Sequence, residues 1–185
     1  MVADLPRPPG RLVVFAYGSL AWNPGFPVAR RLRARLHGWH RRPCIWSYHY
    51  RGTPERPGLV LGLCRGGACV GLALEVRAGD EDDVCRYLAE REMRGDAYDA
   101  RLLPVETSEG RLSALTFVAR RPVPPLPPEE AARIVAAARG ENGPNAVYLR
   151  ETWRALREIG VKDPHLDRLM SYLRTVEESS PDIEV

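Results

Sequence analysis

Lysine is almost missing from this chain: of its 27 basic residues, all but Lys162 are arginine. Heavy use of Arg beside Ala, Gly and Pro is what a GC-rich coding sequence produces, so an Arg cluster here carries less functional meaning than it would elsewhere. Long apolar runs are also missing. None approaches the roughly 20 residues that cross a bilayer, so no membrane association is expected. Residues 1–10, Pro-rich and without an apolar core, do not read as a secretory signal, and a cytoplasmic protein is the expectation. The four cysteines, Cys44, Cys64, Cys69 and Cys85, show no Cys-x-x-Cys pair, and no His pair accompanies them. Reduced, mostly buried thiols are expected, with no metal site. No Ser-His-Asp or Cys-His set stands out either, which turns attention away from a nucleophile supplied by the protein.

What is present is ordinary in bulk: 185 residues, 44% hydrophobic and 28% charged, with a net charge of +3. That length suits one domain with a substantial core, expected over residues 11–176 between a tail at 1–10 and a frayed end at 177–185. Between Arg30 and Arg42 the arginines at 31, 33 and 35 alternate with Leu32, Ala34 and Leu36. Alternation places them on one face of a strand, so a solvated strand face is expected rather than a nucleic-acid groove.

The first half reads as strands, near 12–20, 33–40, 43–50, 58–65 and 68–76, with Arg65-Gly66-Gly67-Ala68 as a hairpin signal. Asp80 reads as the cap of a helix whose first turn holds Glu81, Asp82 and Asp83 and whose end is marked by Gly95. Strands near 100–107 and 111–119 follow, then a stiff Pro122–Pro128 connector. Helices are expected near 128–139, 145–159 and 164–177, with Gly140 and Gly160 as stops. Strands come in succession rather than alternating with helices, so the class is α+β with a largely antiparallel or mixed sheet.

One segment is more informative than the rest. Leu12–Ala16 is apolar and β-favouring, and it ends abruptly in Tyr17-Gly18-Ser19-Leu20. A buried strand therefore delivers a Gly-containing loop whose backbone N–H groups and hydroxyl can meet an anion without side-chain bulk. Taken alone it is equally an ordinary strand-to-loop corner. Along the helix after Asp80, at about 100° per residue, Cys85, Leu88 and Glu92 share a stripe while Glu90 points away. A carboxylate at the end of an apolar face loses hydration, which raises its pKa and suits it to accept a proton near neutrality. The bland reading of Glu92 is a helix-end carboxylate paired with Arg91 or Arg94.

Tyr17-Gly18-Ser19-Leu20 continues into Trp22-Asn23-Pro24-Gly25-Phe26. Further along come Arg51-Gly52-Thr53-Pro54-Glu55-Arg56-Pro57-Gly58, then Tyr87-Leu88-Ala89-Glu90-Arg91-Glu92, then Asn145-Ala146-Val147-Tyr148-Leu149. In this order and spacing, over about residues 12–173, the chain resembles the γ-glutamylcyclotransferases of the ChaC type, which act on glutathione. The resemblance implies a small mixed barrel with helices around it, and a reaction in which the α-amine of a γ-glutamyl group attacks its own γ-carbonyl. The products are 5-oxoproline and the released amine, Cys-Gly for glutathione. It implies Glu92 as general acid/base, and Tyr17, Gly18, Ser19 and Leu20 as the holder of the α-carboxylate. The chemistry calls for no cofactor, and the expected partner is a small molecule, with the oligomeric state undetermined.

Arg51 either binds the glycine carboxylate of a tripeptide or locks its own turn. The family often places His directly before this Arg; here Tyr50 intervenes, and the displaced His49 receives no role because one step along a strand reverses the face. Tyr98 and Tyr148 match the family's aromatic hydroxyls, while Tyr148 also reads as a core residue of its helix. Two alternatives stay open: a cyclotransferase for other γ-glutamyl amino acids or amines, and a non-catalytic metabolite-binding module of the same fold.

Overall fold

Apolar residues at every second position build the strands, and the computed structural model, which describes residues 5–93 and 95–179, closes five of them into a barrel in the order β1-β3-β2-β4-β5. These are β1 (Val13–Ala16), β2 (Val28–Ser47), β3 (Gly58–Val76), β4 (Tyr98–Thr107) and β5 (Gly110–Ala119). β1 runs antiparallel to β3, with Val13 opposite Glu75, and parallel to β5, with Val14 opposite Leu115. β4 is antiparallel to both β2 and β5. A mixed sheet results, as expected for the α+β class. Phe15, Leu36, Leu63, Ala73, Val105 and Ala114 fill the barrel core, and none exposes more than 0% of its surface.

Two pairs of expected strands are each one strand. Residues 33–40 and 43–50 merge in β2, and 58–65 and 68–76 merge in β3. The hairpin expected at Arg65–Ala68 is therefore absent: Gly66 (φ +99°) and Gly67 (φ +67°) sit within β3 without reversing the chain. Glycine absorbs a left-handed backbone inside a strand as a bulge as readily as at a turn, so the dipeptide alone does not tell the two apart. Arg31, Arg33 and Arg35 are exposed while Ala34 and Leu36 are buried, in keeping with the alternation.

The chain divides into two compact units, one comprising residues up to Arg41 with Gly62–Arg121, the other Arg42–Leu61 with the residues from Pro122 onward. The first holds β1, β4, β5, most of β2 and β3, and α1 (Glu81–Glu92). Asp80 precedes α1 but does not cap it with its side chain, which accepts from Arg77 Nε at 2.8 Å instead. The nearby arginine outcompetes the helix N–H groups for the carboxylate. Leu5 is buried and Arg7 pairs with Asp82, so the chain is packed from its first described residues.

The second unit contains α2 (Pro128–Ala137), a short hairpin of β6 (Arg139–Gly140) and β7 (Gly143–Pro144), α3 (Asn145–Glu158) and α4 (Pro164–Ser179). α2 packs on α3 and α4, and α3 on α4. The Pro-rich connector is tied down, Val123 donating to the Cys44 carbonyl at 2.9 Å and accepting from Arg42 at 2.7 Å. The Arg51–Gly58 segment is a tight turn in which a Cβ on Gly52 would lie 2.0 Å from the Gly58 nitrogen, so backbone packs on backbone there. α4 continues through Ser179, and the rest of the expected frayed end lies outside the described residues. Among the described residues no helix is long and apolar enough to cross a membrane.

Candidate active site

β1 is buried along its whole length and carries the chain straight into Tyr17. That residue is held at two points. Its hydroxyl donates to the Phe117 carbonyl at 2.7 Å, and its own carbonyl accepts from Arg41 Nη1 at 2.8 Å. Arg41 is itself buried, exposing 5% of its surface, and also donates to the Val70 carbonyl. With Tyr17 fixed, the chain turns sharply: Ala21 N–H bonds the Gly18 carbonyl at 3.0 Å, and Trp22 and Asn23 bond the Ser19 carbonyl at 3.2 and 2.7 Å. This single turn of 3-10 helix spans Ser19–Ala21. Helical turns leave their first N–H groups without an acceptor inside the turn, and here those belong to the Gly18–Leu20 stretch.

In the same unit, α1 buries Val84, Cys85, Leu88 and Ala89 and exposes Glu90. Glu92 closes the helix with its side chain only 14% exposed. Loss of hydration pushes its carboxyl above the ordinary glutamate value, and the neighbouring Arg91 pulls the other way without prevailing. The Arg91 Nε lies 3.1 Å from Glu92 Oε1.

Arg91 does more than pair with its neighbour. Its Nη2 donates to Ser19 Oγ at 3.0 Å, and its Nη1 to the carbonyls of Asn23 at 2.8 Å and Pro24 at 3.3 Å and to Tyr87 Oη at 2.7 Å. Tyr87 in turn meets Phe26 edge to face, with ring centroids 6.4 Å apart. Gly25 (φ +75°) has no room for a side chain, since a Cβ there would fall 1.9 Å from Tyr87 Oη. Three of the sequence strings thus converge on one guanidinium, and it bridges the Ser19 hydroxyl and the Glu92 carboxylate.

Tyr98 opens β4 in this same unit, half-buried and opposite Ala119. Arg51 and Tyr148 belong to the second unit, where the Arg51 guanidinium lies 5.4 Å from the Tyr148 ring centre. Arg51 Nη1 also donates to the carbonyls of Asn142 and Pro144, so its guanidinium ties to the β6–β7 hairpin rather than to its own turn. Tyr148 is buried and its hydroxyl accepts from Leu61 N–H at 3.2 Å. One turn earlier Asn145, fully buried, accepts from Leu59 N–H at 2.6 Å and donates to the Leu59 carbonyl at 3.1 Å.

Sequence reasoning assigned nothing to Arg41, Gly25, Tyr87 or Asn145, and saw in Arg91 only a partner for Glu92. For Asn145 and Gly25 the signal was their place inside the quoted strings. For Arg41 there was no separable signal within so many arginines. Among the described residues no group of three or more His, Cys, Asp or Glu side chains is placed to hold a metal ion.

A family model described as ChaC-like protein matches residues 12–176. The chain belongs to this family. ChaC-like relatives include the glutathione-specific γ-glutamylcyclotransferase of Escherichia coli K12, 31% identical, the match covering 94% of this chain and 78% of that one. γ-Glutamylcyclotransferase 2-3 of Arabidopsis thaliana is 29% identical, with 93% of each chain covered. Among solved structures, a γ-glutamyl cyclotransferase specific to glutathione from yeast superposes with a TM-score of 0.82 at 21% identity, covering 89% of this chain and 96% of that one. The ChaC-like fold is thus shared by the barrel and helices described above.

Proposed function

We propose that this protein is a γ-glutamylcyclotransferase that cleaves glutathione to 5-oxoproline and Cys-Gly. The observation that carries the reading is the Arg91 guanidinium, which contacts Ser19 and Glu92 together and so brings the Gly18–Leu20 turn and the carboxylate within reach of one small molecule. Membership of the ChaC-like family supports it, as do the names of the relatives.

The substrate supplies its own nucleophile. Its α-carboxylate sits on the N–H groups at the start of the Ser19 turn, where backbone donors suit an anion. The γ-glutamyl chain is thereby folded so that the α-nitrogen faces the γ-carbonyl carbon. Glu92, ionised, takes a proton from the α-ammonium. The freed amine forms a bond to the γ-carbon, and the bond from that carbon to the cysteine nitrogen breaks. Glu92 returns its proton to the departing nitrogen, and the ring nitrogen gives up its surplus proton to the same amine. The lactam thus keeps one N–H and Cys-Gly leaves as an ammonium, with the enzyme unchanged and no atom oxidised or reduced. Because the ring closes within one molecule, orientation alone removes much of the barrier. Desolvation raises the pKa of Glu92, which makes its conjugate base stronger for the first transfer, and the adjacent Arg91 opposes that rise.

Tyr98, in the same unit as the Ser19 turn and Glu92, is proposed as a contact to the remainder of the substrate. A cytoplasmic setting is proposed, in keeping with the burial of all four cysteines. Mass-spectrometric analysis after incubation with reduced glutathione is the test. Equimolar 5-oxoproline and Cys-Gly are expected, and Glu92→Gln is expected to lower kcat at least about 100-fold, in the range of a lost general base. A folded protein inert toward glutathione and every other γ-glutamyl compound overturns the proposal.

A further inference from the structure

The contacts of Arg91 are arranged in a way that a merely surface-exposed helix-end arginine does not need. All three guanidinium nitrogens are used, on two sides of the site. Nη1 and Nη2 hold the 19–24 loop through one hydroxyl and two carbonyls, Nη1 also takes the Tyr87 hydroxyl, and Nε faces Glu92. The side chain is only 21% exposed, so these bonds face little competition from water. A planar fork with fixed angles between its N–H groups turns separate contacts into one geometry, which a flexible ammonium does not do.

We propose that Arg91 is a positioning residue for the cyclisation, setting both the separation and the mutual orientation of the Ser19 turn and the Glu92 carboxylate. The inference rests on the cyclotransferase reading. It assigns to the second last residue of the Tyr87–Glu92 string a duty distinct from proton transfer. The Trp22–Phe26 string gains a purpose as well: its carbonyls and its side-chain-free Gly25 exist to receive Arg91 and Tyr87. Misplacing a bound reactant by about 1 Å costs on the order of 100-fold in rate, so a fastener of this kind is felt in turnover without touching the reacting atoms.

Among the described residues, Arg91 is the charged group whose field acts on Glu92, against the desolvation imposed by its surroundings. Removing the guanidinium therefore raises the carboxyl pKa further, and the acid limb of the kcat/KM profile moves to higher pH. A lysine retains the charge but not the fork.

The test compares Arg91→Lys and Arg91→Gln with the parent. Arg91→Lys is expected to lose about 10- to 100-fold in kcat/KM with its acid limb near the parent's. Arg91→Gln is expected to lose at least as much, with the limb displaced upward. Hydrogen exchange supplies a readout independent of turnover: the Ala21, Trp22 and Asn23 amides should exchange faster in Arg91→Gln while the β4 and β5 amides do not change. An Arg91→Lys enzyme within about twofold of the parent overturns the proposal, as does an unshifted acid limb in Arg91→Gln or unaltered exchange in the loop. Should Arg91→Gln not fold, the lysine variant alone decides. If the parent itself makes no 5-oxoproline, the cyclotransferase reading has failed, whereas the exchange comparison still decides whether Arg91 fastens the loop.

Discussion

At Glu92 two opposed effects act on one carboxyl, and desolvation wins over the adjacent guanidinium. The linkage has a definite sign. A carboxyl whose folded pKa lies above its unfolded value stabilises the fold below the unfolded value, and that contribution is lost as pH rises through the folded one. Where it is ionised, the group is therefore a net cost to stability, carried for the sake of proton transfer. Glu92→Gln should melt above the parent at pH 7. At pH 4, where the parent's carboxyl is already neutral, the difference should close. Calorimetry at the two pH values checks this, and a variant that melts lower at pH 7 contradicts it.

Among the elements, α3 shows how a helix start can complete a strand. Asn145 and Tyr148 lie one turn apart and reach Leu59 and Leu61, two residues apart on β3. Asn145→Ala would strip partners from both the N–H and the carbonyl of buried Leu59. The expected loss is about 2–4 kcal/mol, one buried unsatisfied group contributing roughly 1–3, and chemical denaturation measures it as a lower midpoint at constant slope. The same scale explains what the sequence disclosed and what it withheld. Helix α1 was legible because Val84, Cys85, Leu88 and Ala89 repeat at helical spacing, and that periodicity also set Glu92 apart from Glu90. The interior placement of Arg41 was not. Along β2, odd positions face solvent up to His37, but Gly38 (φ +79°) adds a step, after which Trp39 and Arg41 are buried. Strict alternation carries no mark of such a bulge. The β6–β7 hairpin escaped for a related reason: two residues per strand leave no pattern to detect.

At the scale of the whole molecule, the barrel is clasped by charges drawn from distant parts of the chain. Glu75, 4% exposed, accepts from Arg30 on β2 and from Arg11 ahead of β1, and Arg30 also grips Glu109 between β4 and β5. The Arg30 hydrogen bonds, more than those of Arg11, hold the Glu75 carboxyl below the ordinary value of 4.5 despite its burial. A depressed pKa stabilises the fold above the unfolded value and is lost as pH falls through the folded one. Stability of the parent should decline as pH drops below 4.5, and Glu75→Gln should decline less steeply there while being less stable at pH 7. Denaturant midpoints across pH 2.5–7 test this, and parallel acid limbs for the two proteins rule it out. A largely antiparallel or mixed sheet was legible from the succession of strands, and its closure into a barrel only from the family resemblance. Its closing salt bridges were not, because they join residues far apart in sequence within a chain full of arginine.

The amide of Asn145 has one more consequence. By presenting one donor and one acceptor to Leu59, it does for that residue what a peptide unit of a neighbouring strand would do. Backbone groups so occupied offer no template to a foreign strand.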